Sequence, residues 1–190
     1  MQLEEIVPDL FYRVTDVFDK STLTLLQAQY WNKHTWRELY QENGILRHES
    51  HCDLELSSLL EIQKWIENKL SIQVYPNSTQ LWYDYPEYIN HMHVDGSPNL
   101  YVNCQIYLID SENKDQGTHF RVSEPLLFNG KPREDGLMEH TWYSVPYEVN
   151  TGYIMFKPTE YTHGTKYPVT DQRMSLYQSY RVTKEPSTLW

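Results

Sequence analysis

Cysteine is nearly absent: Cys52 and Cys104 are the only two in 190 residues. That is too few for a disulfide framework, and they show no metal-binding pair spacing, so free thiols are expected. Basic runs are missing as well, since 16 Lys and Arg stand against 26 Asp and Glu for a formal charge of −10. A surface of that sign repels phosphate and disfavours nucleic acid as a partner. No apolar run approaches the roughly 20 residues that span a bilayer. The start "MQLEEIVPDL" carries neither a basic n-region nor an apolar h-region. Together these absences lead to the expectation of a soluble, cytoplasmic protein with no membrane partner. Internal repeats and low-complexity segments are also lacking.

Aromatic residues, by contrast, are plentiful. Sixteen tyrosines and six tryptophans supply enough bulk for a β-rich core or an aromatic-walled pocket. The length suits one compact domain, residues 1–190. "FYRVTDVF" reads as a first strand. "DKSTLTLLQAQYWNKHTWRELYQENG" reads as one helix, with Asp19 or Ser21 as N-cap and Gly44 past its end. A second helix is predicted in "DLELSSLLEIQKWIENKL", where Leu56, Leu59, Leu60, Gln63, Ile66 and Leu70 follow helical spacing. After residue 70 the pattern changes to short runs rich in Val, Ile, Tyr and Phe between turn residues. Strands are predicted at 80–85, 88–93, 101–109, 118–122, 151–156 and 173–182, with 123–146 as a long excursion between two of them. The expected fold is mainly β: a double-stranded β-helix, or jelly roll, over 71–182, with helices in 1–70 bracing one sheet.

The stretch "NHMHVDGSPN" places His91, His93 and Asp95 at alternate positions, which in a strand share one face. Two imidazoles and a carboxylate on one side of a ferrous ion leave the opposite positions open. His93 and Asp95 can supply two such ligands, and a third must come from a distant strand. Downstream, His163 precedes a glycine, and Arg173 follows ten residues later with Ser175 on the same strand face. A guanidinium fork binds a carboxylate through two parallel hydrogen bonds, to which a neighbouring hydroxyl adds a third.

"HVD" at 93–95, "HG" at 163–164 and "RMS" at 173–175 resemble the His-x-Asp…His…Arg-x-Ser pattern of the iron(II)/2-oxoglutarate-dependent oxygenases, in particular the prolyl-4-hydroxylase-like branch. The resemblance spans about residues 80–182. It takes in "YVNCQIYLID" after the metal motif, "QGTHF", and "NTGYIMF" before the distal histidine. It implies a dioxygenase in which His93, Asp95 and His163 hold Fe(II) and Arg173, assisted by Ser175, clamps the far carboxylate of 2-oxoglutarate. Molecular oxygen is then consumed, the co-substrate is decarboxylated to succinate, and a C–H bond of a peptide side chain or small amino-acid-like substrate is hydroxylated. Two departures are visible. Pro86 stands where the family has a glycine after an upstream tyrosine, which leaves Tyr83, Tyr85 and Tyr101 as alternative partners of the co-substrate. Collagen-type prolyl hydroxylases use Lys at the position of Arg173, so a prolyl substrate is not implied.

Other assignments compete at this stage. His91, His93 and His163 would make a three-histidine, cupin-like site, although that leaves Asp95 and Arg173 without a role. A non-catalytic metal- or ligand-binding module and a nucleic-acid demethylase are the alternative functions, the latter opposed by the acidic balance. His119 is expected as a packed or rim residue, and His34, His48, His51 and His140 carry no expected chemistry. Aromatics in "LWYDYPEY" and "HTWYSVPY" can wall a pocket mouth, with Trp142 and Tyr143 either in a lid or as loop anchors. A monomer or weak dimer is expected; no sequence feature sets the oligomeric state.

Overall fold

Antiparallel pairing builds two facing sheets, and the chain crosses repeatedly from one to the other. The computed structural model describes residues 1–29, 36–41, 44–52, 54, 56–95, 101–125, 127–128, 131–132, 137–157 and 161–182. Its elements are β1 (Gln2–Val7), β2 (Phe11–Thr15), α1 (Lys20–Gln29), β3 (Arg37–Gln41), β4 (Gly44–His51), α2 (Ser57–Leu70), β5 (Tyr75–Asp84), β6 (Val102–Tyr107), β7 (Thr118–Pro125), β8 (Leu127–Phe128), β9 (Lys131–Pro132), β10 (Met138–Val145), β11 (Thr151–Phe156), β12 (Thr162–Gly164) and β13 (Arg173–Arg181). The large sheet runs β1-β2-β11-β6-β13-β5-β4-β3, the small one β10-β7-β12, and β8 pairs with β9 alone. His93 forms a bridge with His163 and so adds a fourth member beside β12. From β5 onward the path is large sheet, His93, β6, then the β7–β10 pair in the small sheet, β11, β12 and β13. This alternation is a jelly roll wound as a double-stranded β-helix.

Period-two alternation assigns the two faces of the large sheet. Met174, Leu176 and Tyr180 of β13 join Val102, Cys104 and Ile106 of β6 in one core cluster with Leu26 of α1 and Ile62 and Ile66 of α2. The helices thus brace the outer face, as expected. Between the sheets a second cluster joins Phe11, Tyr107, Tyr153 and Met155 to Phe120, Val122 and Val145, with Phe11 and Phe120 stacked at 4.2 Å. No helix among the described residues is long and apolar enough to cross a membrane.

Several expectations need correction. The helix predicted from residue 19 is capped by Asp19, whose Oδ1 accepts from the Thr22 amide at 2.8 Å. Gly44, however, opens β4 instead of ending a helix: residues 37–51 form the β3–β4 hairpin, with Gln41 paired to Gly44. β4 also finds a partner in β5, a tertiary pairing that overrides local helix propensity. Residues 30–35, part of the same predicted helix, lie outside the described residues, as does His34. Among the described residues, the first 70 therefore supply four strands besides two helices, including the unforeseen β1. In α2 the buried face is Leu59, Ile62 and Ile66, whereas Leu60 is 56% exposed. Residues 88–92 form no strand, and the excursion expected over 123–146 contributes 123–125 to β7 and 138–145 to β10, paired with Ser123 opposite His140.

Candidate metal centre and its pocket

His163 sits in β12, which pairs with β7 on one side. On the other side His93 donates its amide to the His163 carbonyl at 2.9 Å and accepts the His163 amide at 2.8 Å. The following glycine permits this approach: a Cβ on Gly164 would stand 2.3 Å from the Asn90 carbonyl oxygen, so any other residue would push the two segments apart. The two imidazole centroids are 4.6 Å apart, and Asp95 closes the group. Its Oδ1 lies 3.5 Å from His93 Nε2 and 3.6 Å from His163 Nε2.

Each of the three side chains has its second polar atom already engaged. His93 Nδ1 donates to the His91 carbonyl at 2.7 Å, and His163 Nδ1 faces the Tyr161 carbonyl at 3.3 Å. Carbonyl partners place the proton on Nδ1 and leave the Nε2 lone pairs directed at Asp95. Asn103 Nδ2 donates to Asp95 Oδ2 at 2.6 Å and leaves Oδ1 for the site. Among the described residues, His93, Asp95 and His163 are the group whose ligand atoms, all within 4.8 Å of one another, could hold a metal ion. Imidazole, imidazole and carboxylate, each oriented by a supporting hydrogen bond, match what a first-row divalent ion requires. His91 is exposed and contributes its carbonyl rather than its ring, so the three-histidine arrangement is not formed.

Asn103→Ala leaves the carboxylate in place without its support. Loss of such a partner weakens metal affinity by about 10–100-fold. Competition titration of iron into the variant, compared with the parent, checks this; parental affinity would mean that Asn103 does not orient Asp95.

Protonation of the two histidines differs. The Asp95 hydrogen bond, aided by the His91 carbonyl and opposed by burial, holds His93 above the ordinary imidazole range, while burial lowers His163 despite the pull of Asp95. Metal binding requires both imidazoles neutral, so a raised His93 keeps its competing proton to higher pH. Iron affinity is expected to fall with decreasing pH, with His93 taking up its competing proton before His163. Affinity measured anaerobically across a pH series checks it; an affinity that does not fall as the imidazoles protonate would contradict the assignment.

Arg173 opens β13 on the inner face, 2% exposed. Its Nη1 donates to the Gln116 carbonyl at 2.6 Å, the rings of Tyr107 and Tyr147 lie 6.0 and 5.6 Å from its guanidinium carbon, and its Nε is buried without a partner. Ser175, two residues on, accepts from Gln105 Nε2 at 2.8 Å, and Gln105 Oε1 accepts from the Tyr153 hydroxyl at 3.1 Å. Asn103 Oδ1 is likewise buried and unpartnered. The interior thus holds unmet hydrogen-bonding capacity at both the metal group and Arg173, as a polar ligand lying between them would require.

Tyr83, Tyr85 and Tyr101 all belong to the outer core beside the helices, so none of the three faces this interior. Among the tyrosines that do are Tyr107, Tyr147, Tyr153 and Tyr177, and Asn103, Gln105, Arg47 and Asp84 join them; of these eight, only Tyr147, in the "HTWYSVPY" cluster, is among the aromatics that the sequence marks as a pocket wall. A signal existed for part of the set: in "VNCQIY" polar Asn103 and Gln105 alternate with apolar Val102, Cys104 and Ile106, which marks a strand with one apolar and one polar face. Trp142 and Tyr143 are strand residues of β10 rather than parts of a lid. Tyr143 packs edge-on against Phe11 at 5.8 Å, and β7 separates β10 from β12. His119 is half-buried on β7, with burial lowering its pKa.

No family model and no curated protein matches this chain. Solved structures do. The α-ketoglutarate-dependent epimerase SnoN from nogalamycin biosynthesis is 13% identical, with 91% of this chain and 78% of that chain covered at a TM-score of 0.66. A Trichoplax adhaerens prolyl hydroxylase, solved with a hypoxia-inducible-factor peptide fragment, is 10% identical over 98% and 90% of the two chains, TM-score 0.66. A Pseudomonas putida prolyl-4-hydroxylase is 11% identical over 94% and 96%, TM-score 0.62. The fold is that of the iron(II)/2-oxoglutarate oxygenases. Within this fold, the His93–Asp95–His163 group and Arg173 line one interior, and at identities of 10–13% the likeness to these structures shows the fold alone.

Proposed function

We propose that this chain is an iron(II)- and 2-oxoglutarate-dependent oxygenase that hydroxylates a peptide side chain or a small amino-acid-like molecule. One observation carries the reading: three pre-oriented ligands converge on the same interior that holds a buried, partly unpartnered arginine. His93, Asp95 and His163 would hold the iron, and Arg173, with Ser175, the far carboxylate of 2-oxoglutarate. That pair supplies an oxidant for an unactivated C–H bond, with the overall balance R–H + O2 + 2-oxoglutarate → R–OH + succinate + CO2. The chain's own contribution is placement and dryness. Carbonyls of His91 and Tyr161 fix the imidazole tautomers, Asn103 fixes the carboxylate, and buried Tyr107 and Tyr147 keep water from the guanidinium.

For the substrate, the acidic balance argues against nucleic acid. Trp82 and Tyr177, stacked at 4.4 Å and only half-buried, form an aromatic wall suited to aliphatic or flat amide groups. SnoN has been solved with iron, α-ketoglutarate and a nogalamycin compound, and the Trichoplax enzyme with a peptide, so the fold admits both occupant classes. Succinate release is to be measured with iron, 2-oxoglutarate and, in parallel, proline-containing peptides, free amino acids and methylated single-stranded oligonucleotides. Stimulation by a peptide or amino acid, with a hydroxylated product, is expected. Stimulation by the oligonucleotide alone would replace this reading with a demethylase, and iron binding without any 2-oxoglutarate binding would leave a metal-binding module.

A further inference from the structure

Beside Arg173 lies a second buried arginine, which the proposed chemistry does not use. Arg47 of β4 and Arg173 of β13 both stand opposite Asp84 of β5 in the sheet register. Arg47 donates Nε to Asp84 Oδ1 at 2.5 Å and Nη2 to Oδ2 at 3.2 Å. Its guanidinium is clamped between the rings of Trp82 and Tyr88, 4.2 and 4.3 Å from their centroids. Arg173 approaches Asp84 through Nη2, 3.3 Å from Oδ2, its Nη1 donates to the Gln116 carbonyl at 2.6 Å, and its Nε remains unpartnered. The side chains are 6%, 1% and 2% exposed for Arg47, Asp84 and Arg173. Two guanidiniums and one carboxylate thus leave a net single positive charge out of water, a state that favours one further anion.

We infer that Arg47 is a positioning residue that keeps Asp84 from closing on Arg173, so that the unpartnered Nε edge of Arg173 stays available for the single distal carboxylate of the co-substrate. The inference rests on the proposed function for the identity of that ligand. With both Asp84 oxygens held side-on by Arg47 and the guanidinium immobilised between two rings, Asp84 cannot turn to give Arg173 a bidentate pair. The incoming carboxylate makes the Arg47–Asp84–Arg173 cluster neutral. Without Arg47, Asp84 would satisfy Arg173 itself, and the same carboxylate would meet a neutral pair already closed.

The test uses the full chain loaded anaerobically with Fe(II) and titrated with 2-oxoglutarate, followed by the visible charge-transfer band of the chelated keto acid. Arg47→Met, which preserves the packing between Trp82 and Tyr88, is expected to raise the dissociation constant about thirtyfold or more. Arg47→Met combined with Asp84→Asn removes the competitor and is expected to return it to within about threefold of the parent. Asp84→Asn alone, informative even where Arg47→Met fails to fold, is expected to bind at least as tightly as the parent. An unchanged constant in Arg47→Met, a double variant as weak as the single, or weakened binding in Asp84→Asn each overturns the inference while the proposed function stands. A parent protein that takes up iron but shows no band overturns both.

Discussion

Replacing His163 with alanine is expected to abolish iron binding and, with it, 2-oxoglutarate turnover. Of the three ligands His163 is the most buried, at 5% side-chain exposure against 18% for Asp95 and 39% for His93, so water is least able to replace it. Two remaining ligands seldom retain a labile ferrous ion, and the loss should exceed the roughly 10–100-fold that removal of a mere supporting partner costs. The fold should survive, because β12 is held to His93 and β7 by main-chain bonds that alanine keeps, and a melting curve near the parent's would show it. Iron content after anaerobic loading and desalting is the measurement. His91→Ala is the control: it retains the carbonyl that orients His93 and removes only an exposed ring, so its iron content should match the parent's. If instead His163→Ala kept its iron and His91→Ala lost it, the ligand set would have to be redrawn around three histidines.

How far the sequence alone leads depends on whether a feature is local or not. The candidate site is legible because its residue types and their order are unusual together: a His-x-Asp, a distant His-Gly and an Arg-x-Ser. The jelly roll was legible because alternation and turn residues recur after residue 70, and residues 151–156 became β11 as expected. What failed had its cause elsewhere in the chain. Residues 37–51 form a hairpin because β5 offers them an edge, which no window containing only those residues can show. The strand expected over 88–93 is not formed, since His93 makes only an isolated bridge, and the candidate ligands converge because Gly164 lets β12 approach. Arg47 gave no signal at all, since it looks like any surface arginine until β4 is set beside Asp84. Asn103 and Gln105 lie between these extremes, with their polar alternation visible in the sequence and its meaning evident only once that face is known to line the interior.

Replacing Arg173 with alanine is expected to raise the 2-oxoglutarate requirement by roughly tens to thousands of times and to leave iron in place. Loss of a bidentate, charge-assisted contact to a buried carboxylate costs about 2–5 kcal/mol, and each 1.4 kcal/mol or so is tenfold in affinity. The variant should still fold, because Asp84 keeps both of its bonds to Arg47 and no protein charge is stranded. Iron should stay, because none of the bonds that orient His93, Asp95 and His163 involves Arg173. Arg173→Lys separates charge from geometry: an ammonium restores the attraction but not the fork, so its requirement should fall between those of the parent and the alanine variant. Titration of the charge-transfer band and of succinate formation, each against 2-oxoglutarate concentration, should shift together, since both depend on the same bound carboxylate. A requirement unchanged in Arg173→Ala would assign the carboxylate to another cation, and Arg47, one residue across Asp84 in the same buried cluster, would be the first to test.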